Sequence, residues 1–294
     1  VMISTSGSLL LQKSAVEHLI HQLLPQCDLL TPNLPEARTI LLAAAGQPLD
    51  QATADQSSST DTESKDVQFK TVHDLIQAAK SILDLGPAAV LVKGGHMQLS
   101  RDVAMEAIQN LLGPSSEAYS EPATPAFVGQ GCRWKTNRQG DISVVLTEER
   151  PWSNLLRKRF ASQGNDDRKV VVDVLCERDT AKGRKTTTLF VKPHLDATST
   201  HGTGCTLSSA ITTHLGAGES SQRATLLGIE YVQASIARGI SDLGKGAGPL
   251  NHASGIQRRA VHMRCRNPGM PSEQTPLLTC LLGACADDWG RFTK

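Results

Sequence analysis

Much that usually steers a first reading is missing from this sequence. There is no surplus of charge: 30 Lys and Arg stand against 29 Asp and Glu, a formal net charge of +1. No field therefore draws the chain to nucleic acid or to an acidic membrane surface, and neither partner is expected. No run of about 18 apolar residues occurs, so no membrane-spanning helix is expected. No Cys-x-x-Cys pair occurs among the cysteines at 27, 132, 176, 205, 265, 280 and 285. Their scatter and odd number speak against both a zinc knuckle and a disulfide framework, and a reduced, cytoplasmic setting is expected. Residues 1–7 lack the basic flank and long apolar stretch of a signal peptide. The chain also lacks an initial Met: Val1-Met2-Ile3 reads as a short strand and Thr5-Ser6-Gly7 as the turn leaving it. A chain that opens inside a core strand is expected to be truncated upstream.

What is present is enough for one α/β domain with decoration, at 294 residues. Val16, Leu19, Ile20, Leu23 and Leu24 follow helical spacing until Pro25. Cys27-Asp28-Leu29-Leu30 reads as a short strand stopping at Thr31-Pro32-Asn33, and a helix is expected from Leu34 to Ala45. Residues 46–69 are polar and read as a loop insertion. Thr71 and Asp74 open another helix as an N-cap and its third-position acid. Ala88 to Val92 is an apolar strand ending in Lys93-Gly94-Gly95-His96. This rhythm implies βαβ units and a mostly parallel sheet flanked by helices. Ligands of such sheets bind beyond the carboxyl ends of the strands, which directs attention to 33–36 and 93–96.

Residues from about 97 to 168 are irregular and read as a second insertion that adds little to the core. Lys169 to Leu175 and Thr186 to Val191 read as an antiparallel strand pair around a charged turn at 177–185. Helices are expected at 204–215 and 220–243, the second with Ile229, Val232, Ile236 and Ile240 on one face. Beyond His252 the pattern dissolves, although the apolar run 277–286 has the makings of a helix.

The strongest chemical signal is Thr200-His201-Gly202-Thr203-Gly204-Cys205-Thr206. Two glycines flank a threonine where a helix begins, so backbone N–H groups can approach an anion closely. Cys205 sits in the first helical turn, a place that favours thiolate, and could accept the proton of an attacking hydroxyl. The bland alternative is a glycine-rich helix start with a structural cysteine. It is not a P-loop, because no Lys follows the glycines.

As a longer word this segment resembles the signature of hydroxymethylpyrimidine and phosphomethylpyrimidine kinases, in the ribokinase-like superfamily. Val1–Gly7, Leu30–Ala37, Val90–His96 and Gly246–His252 agree with it in order and spacing. The resemblance covers most of 1–96 and 170–252. It implies a ribokinase-like layered fold lacking its first strands, and ATP-dependent phosphorylation of 4-amino-5-hydroxymethyl-2-methylpyrimidine and its monophosphate in thiamine biosynthesis. By resemblance Cys205 is the catalytic base, and Gly202, Thr203 and Gly204 form the anion hole. Lys93, Gly246 and Gly248 serve the nucleotide, while Asn33 and Glu36 orient Mg²⁺ through its waters. ATP and Mg²⁺ are the implied cofactors, a small pyrimidine the substrate and a homodimer the assembly. Without the family, Glu36 reads as a first-turn acid favoured by the helix dipole, and Lys93 as a strand-end charge.

Residues 1–252 are thus expected to be a partial kinase domain. Residues 253–294 are expected to be an irregular tail, with the opening of a thiaminase-like domain at 288–294 as the alternative. The family's first third, which carries most contacts to the substrate ring, has no counterpart here. Rival readings are a pyridoxal kinase, and a non-catalytic remnant that binds nucleotide only.

Overall fold

The computed structural model of the chain describes residues 2, 9–49, 69–95, 97–113, 117–119, 133–137, 139–147, 169–179, 183–195, 197, 201–239, 248–253, 261–264 and 277–280. The chain divides into two units, Val1–Asp196 and Ala197–Lys294.

In the first unit, helix α1 (Lys13–His18) runs on through a wide turn at Leu19–Leu23 and a tight one at Leu24–Gln26. Val16, Ile20 and Leu24 recur every four residues, and all three are buried. The segment 27–33 then lies parallel to strand β1 (Ala89–Val92). Its bonds are those of a strand: Leu30 N–H donates to Ala89 O at 3.0 Å, and Leu91 N–H to Leu30 O at 2.7 Å. Helix α2 (Leu34–Ala44) follows as the spacing predicts. Helix α3 (Val72–Leu83) is opened by a capping box between Thr71 and Asp74, and buries Val72, Leu75, Ile76, Ala79, Ile82 and Leu83. Each large side chain among these contributes about 1.5–3 kcal/mol by leaving water.

The sheet is completed by β2 (Leu99–Ser100), β3 (Glu117–Tyr119), β4 (Arg133–Thr136), β5 (Ile142–Leu146), β6 (Lys169–Asp179) and β7 (Arg184–Pro193). Its order is β1-β6-β7-β5-β4-β3, with β2 also beside β6. Val90, Val92, Val144, Val172, Val174, Leu189 and Val191 share one buried cluster with residues of α1, α2, α3 and helix α4 (Arg101–Leu112). The α/β architecture with a helix-flanked sheet is therefore present.

Several expectations need correction. The sheet is not mostly parallel: among the described strands only β5 and β7 pair in parallel, beside the parallel bridges of 27–33 to β1. One reason is the β6–β7 hairpin, which inserts β6 antiparallel between β1 and β7, and another is the antiparallel run of β3, β4 and β5. It pairs as far as Asp179 with Arg184, so the turn is shorter than the expected 177–185. Nor is 97–168 peripheral throughout, since Ala104, Ile108 and Leu112 of α4 and Val144 to Leu146 of β5 are buried. The composition of their neighbours hid them.

In the second unit, helix α5 (Thr203–Gly216) and helix α6 (Ser221–Ala237) lie against each other. Gly228 of α6 meets Ile211 and Leu207 of α5. Helix α6 ends before the expected 243, with Gly239 just past its last turn, and Ile240 falls outside the described residues. In the expected tail, β8 (Val261–Arg264) pairs antiparallel with β9 (Leu277–Cys280), so 277–280 is strand rather than helix. A four-residue apolar run does not distinguish the two by periodicity. Of the Val1-Met2-Ile3 strand only Met2 is described, and 281–294 lie outside as well. Among the described residues no helix is long and apolar enough to cross a membrane.

Candidate active site

In the first unit, segment 27–33 and strands β1, β5 and β7 all point the same way, so their carboxyl ends share one edge of the sheet. Asn33, Lys93 and Lys192 stand at that edge. Asn33 bridges in parallel to Lys93, whose N–H donates to Pro32 O at 2.9 Å.

Asn33 and Glu36 form a reciprocal cap on α2. Glu36 N–H donates to Asn33 Oδ1 at 2.8 Å, and Asn33 N–H to Glu36 Oε2 at 2.9 Å. The other carboxylate oxygen, Oε1, accepts the N–H of Met2 at 3.1 Å. Glu36 is only 7% exposed. With each oxygen already holding a backbone N–H, the pair does not suit direct ligation of a hard cation. One lone pair per oxygen remains, which suits a water of hydrated Mg²⁺, an ion that keeps several of its waters. Among the described residues no group of three or more His, Cys, Asp or Glu gathers as a metal site.

Next to Lys93 the chain passes unusually close to β6. A Cβ on Gly94 would stand 2.0 Å from Val172 O, so no side chain fits there. Gly94 N–H donates to Asp173 Oδ1 at 2.9 Å, and Asp173 Oδ2 pairs with the Lys192 ammonium. Asp173 is fully buried. Sequence reasoning missed both Asp173 and Lys192; the available signal was a lone acid inside the β-branched run Val170–Val174.

In the second unit, Gly202 adopts φ +85°, the left-handed region, and serves as N-cap of α5 without any side-chain cap. Its carbonyl takes the N–H of Thr206 at 2.9 Å and the Thr206 hydroxyl at 2.8 Å. The N–H groups of Thr203, Gly204 and Cys205 lie ahead of Thr206, the first donor of the helical ladder, and none meets an acceptor among the described residues. The Cys205 side chain is exposed. A parallel bridge between His201 and Pro249 sets buried Gly248 beside this loop. Residues 248–253 are tied to α6 by Asn251 N–H to Ser235 O at 3.3 Å and the Tyr231 hydroxyl to His252 O at 2.5 Å. Thr200, His96 and Gly246 lie outside the described residues.

The expected residues thus fall into two sets. Asn33, Glu36 and Lys93 come together in the first unit, and Gly202, Thr203, Gly204, Cys205 and Gly248 in the second. The second set can hold an anion on main-chain amides beside an exposed thiol.

A family model described as phosphomethylpyrimidine kinase matches residues 1–73 and 155–251. A hydroxymethylpyrimidine/phosphomethylpyrimidine kinase of Saccharomyces cerevisiae is 25% identical over 261 residues, 87% of this chain and 31% of that protein. One of Salmonella typhimurium is 25% identical over 257 residues, 86% of this chain and 58% of that protein. The chain therefore spans less than two thirds of either relative. Among solved structures, an ADP complex of Bacillus subtilis pyridoxal kinase aligns at a TM-score of 0.45 and 21% identity, over 83% of this chain and 57% of that one.

Proposed function

Because the chain belongs to the phosphomethylpyrimidine kinase family, we propose that it transfers a phosphoryl group from ATP to 4-amino-5-hydroxymethyl-2-methylpyrimidine and to its monophosphate, in the synthesis of thiamine. The observation that carries this reading is the start of α5, where an exposed Cys205 accompanies three backbone N–H groups that have no acceptor among the described residues. Phosphoryl transfer asks the protein mainly for position and for stabilisation of charge on the moving oxygens. The N–H groups of Thr203, Gly204 and Cys205 meet that need without reorganising. With the alcohol as acceptor, Cys205 Sγ takes the hydroxyl proton as the alcohol oxygen bonds to the γ-phosphorus; with the monophosphate a phosphate oxygen is the attacking atom, and in both transfers ADP leaves with the bridging oxygen.

Lys93 serves the nucleotide phosphates in this reading, with Gly246 and Gly248 shaping the nucleotide end. Asn33 and Glu36 would hold Mg²⁺ through its waters, and the ion, when bound, supplies positive charge to phosphate oxygens. The cap geometry of Glu36 supports this outer role over direct ligation.

The test is incubation of the 294-residue chain with Mg-ATP and, separately, the pyrimidine alcohol, its monophosphate and pyridoxal, with products read by mass spectrometry. Phosphorylated pyrimidines are expected. Pyridoxal phosphate alone would replace this reading by a pyridoxal kinase. Binding of ADP with no product from any of the three acceptors would replace it by a nucleotide-binding remnant.

A further inference from the structure

Asp173 is a buried carboxylate that the proposed chemistry leaves unused. It lies on β6, one residue past the last partner of β1, since Val92 pairs with Val174. One oxygen takes Gly94 N–H and the other takes the Lys192 ammonium, so both are occupied. The side chain shares a face of the sheet with Phe190, its direct cross-strand partner, and with Lys192 two residues on. Burying such a pair costs desolvation, and a neutral or apolar pair of similar volume often gives equal stability. Stability alone is therefore a weak reason for an ion pair here. Its geometry offers a better one. The turn after β1 is held on one side by Lys93 N–H to Pro32 O. On the other it is held by Gly94 N–H to Asp173, across a gap too narrow for any Cβ.

We propose that Asp173, fixed by Lys192, is a positioning residue: it sets the Lys93–Gly94 turn and thereby the hold of Lys93 on the nucleotide phosphates. The second half rests on the kinase reading above; the first does not.

The experiment uses the full chain with two readouts, the hydrogen-exchange rate of Gly94 N–H without ligand and ADP affinity by calorimetry. Asp173→Ala removes a charge-assisted bond. Exchange at Gly94 should rise roughly 10- to 100-fold, with α3 amides changed no more than about twofold. ADP affinity should fall about tenfold or more. Because this variant leaves Lys192 unpaired, Asp173→Asn with Lys192→Gln is the companion: it keeps an acceptor for Gly94 and removes both charges. That double variant should restore Gly94 protection and bring ADP affinity to within about threefold of wild type.

Unchanged Gly94 exchange in Asp173→Ala would overturn the positioning of the turn. Lost protection with unchanged ADP affinity would overturn its link to the nucleotide. A wild-type chain that binds no ADP would sink the kinase reading and that link together, while Gly94 exchange still decides the turn. If Asp173→Ala does not fold, failure of the double variant to protect Gly94 overturns the proposal.

Discussion

Two helices of this chain begin in opposite ways. Helix α2 starts closed: Asn33 caps it, and both oxygens of Glu36 hold backbone N–H groups. Helix α5 starts open: Gly202, in a left-handed conformation, offers no side chain, and three amides beyond it meet no acceptor among the described residues. Helices α3, α4 and α6 resemble α2, each with a Thr or Ser side chain accepting at the cap. The closed starts spend their donors on holding the fold. At the open one the donors and the positive end of the helix dipole remain for a ligand. A helix start thus serves stability where it is closed and, in our reading, chemistry where it is open.

The largest effect expected to sharpen this contrast is on turnover. Cys205→Ala should lower kcat by roughly 10²–10⁴-fold, the usual worth of a positioned proton acceptor, while calorimetry finds nucleotide affinity nearly unchanged. Equal turnover would remove the thiol from the chemistry and leave α5 an ordinary helix start. At the closed helix an effect on stability is expected as well, whatever Glu36 does for the ion. Glu36→Ala leaves backbone donors of Met2 and Asn33 unpaired, at a cost of about 1–3 kcal/mol, read from the urea midpoint. Gly202→Ala tests the open start from the conformational side. A methyl there meets nothing within 4 Å, so the expected loss of about 1–2 kcal/mol comes from the left-handed backbone alone. No loss would mean that the turn does not need its glycine.

The smallest effect concerns α3. Burial pushes the Asp74 carboxyl up, but the N–H groups of Lys70 and Thr71 and the Thr71 side chain outweigh it and hold it below the ordinary Asp range. Stability from this shift is complete above about pH 3.9, the ordinary Asp value, and is lost as pH falls through the lower folded value. Asp74→Asn should therefore be less stable than wild type at neutral pH, with the gap closing on acidification. A gap that stays constant down to acid unfolding would show that the carboxylate charge contributes nothing.

Among the closed helix starts that of α3 was the most legible. Thr71-x-x-Asp74 names its partners at fixed spacing, and the bonds formed are those the spacing predicts, whereas the reciprocal cap of Asn33 and Glu36 emerged only in the structure. The open start was legible as a glycine-flanked turn, because only a backbone without Cβ takes φ +85° cheaply. Strand direction was legible only within neighbouring segments, in the parallel pairing of 27–33 with β1 and in the β6–β7 hairpin. The strand–helix rhythm of 27–92 suggested parallel pairing throughout, while the hairpin sets β6 antiparallel against β1, a pairing between distant parts of the chain. Val144 to Leu146 went unread because apolar residues so few, set among polar neighbours, carry no period. Asp173 went unread because its meaning lies in Gly94, 79 positions away.

The most direct measurement is alkylation of the full chain by iodoacetamide, with the modified Cys205 peptide quantified by mass spectrometry. Each reaction is run with and without a non-hydrolysable ATP analogue, Mg²⁺ and the pyrimidine alcohol. The account predicts that Cys205 reacts readily in the free protein and is strongly protected in the complex. Equal rates at Cys205 in a protein shown to bind both ligands would contradict it.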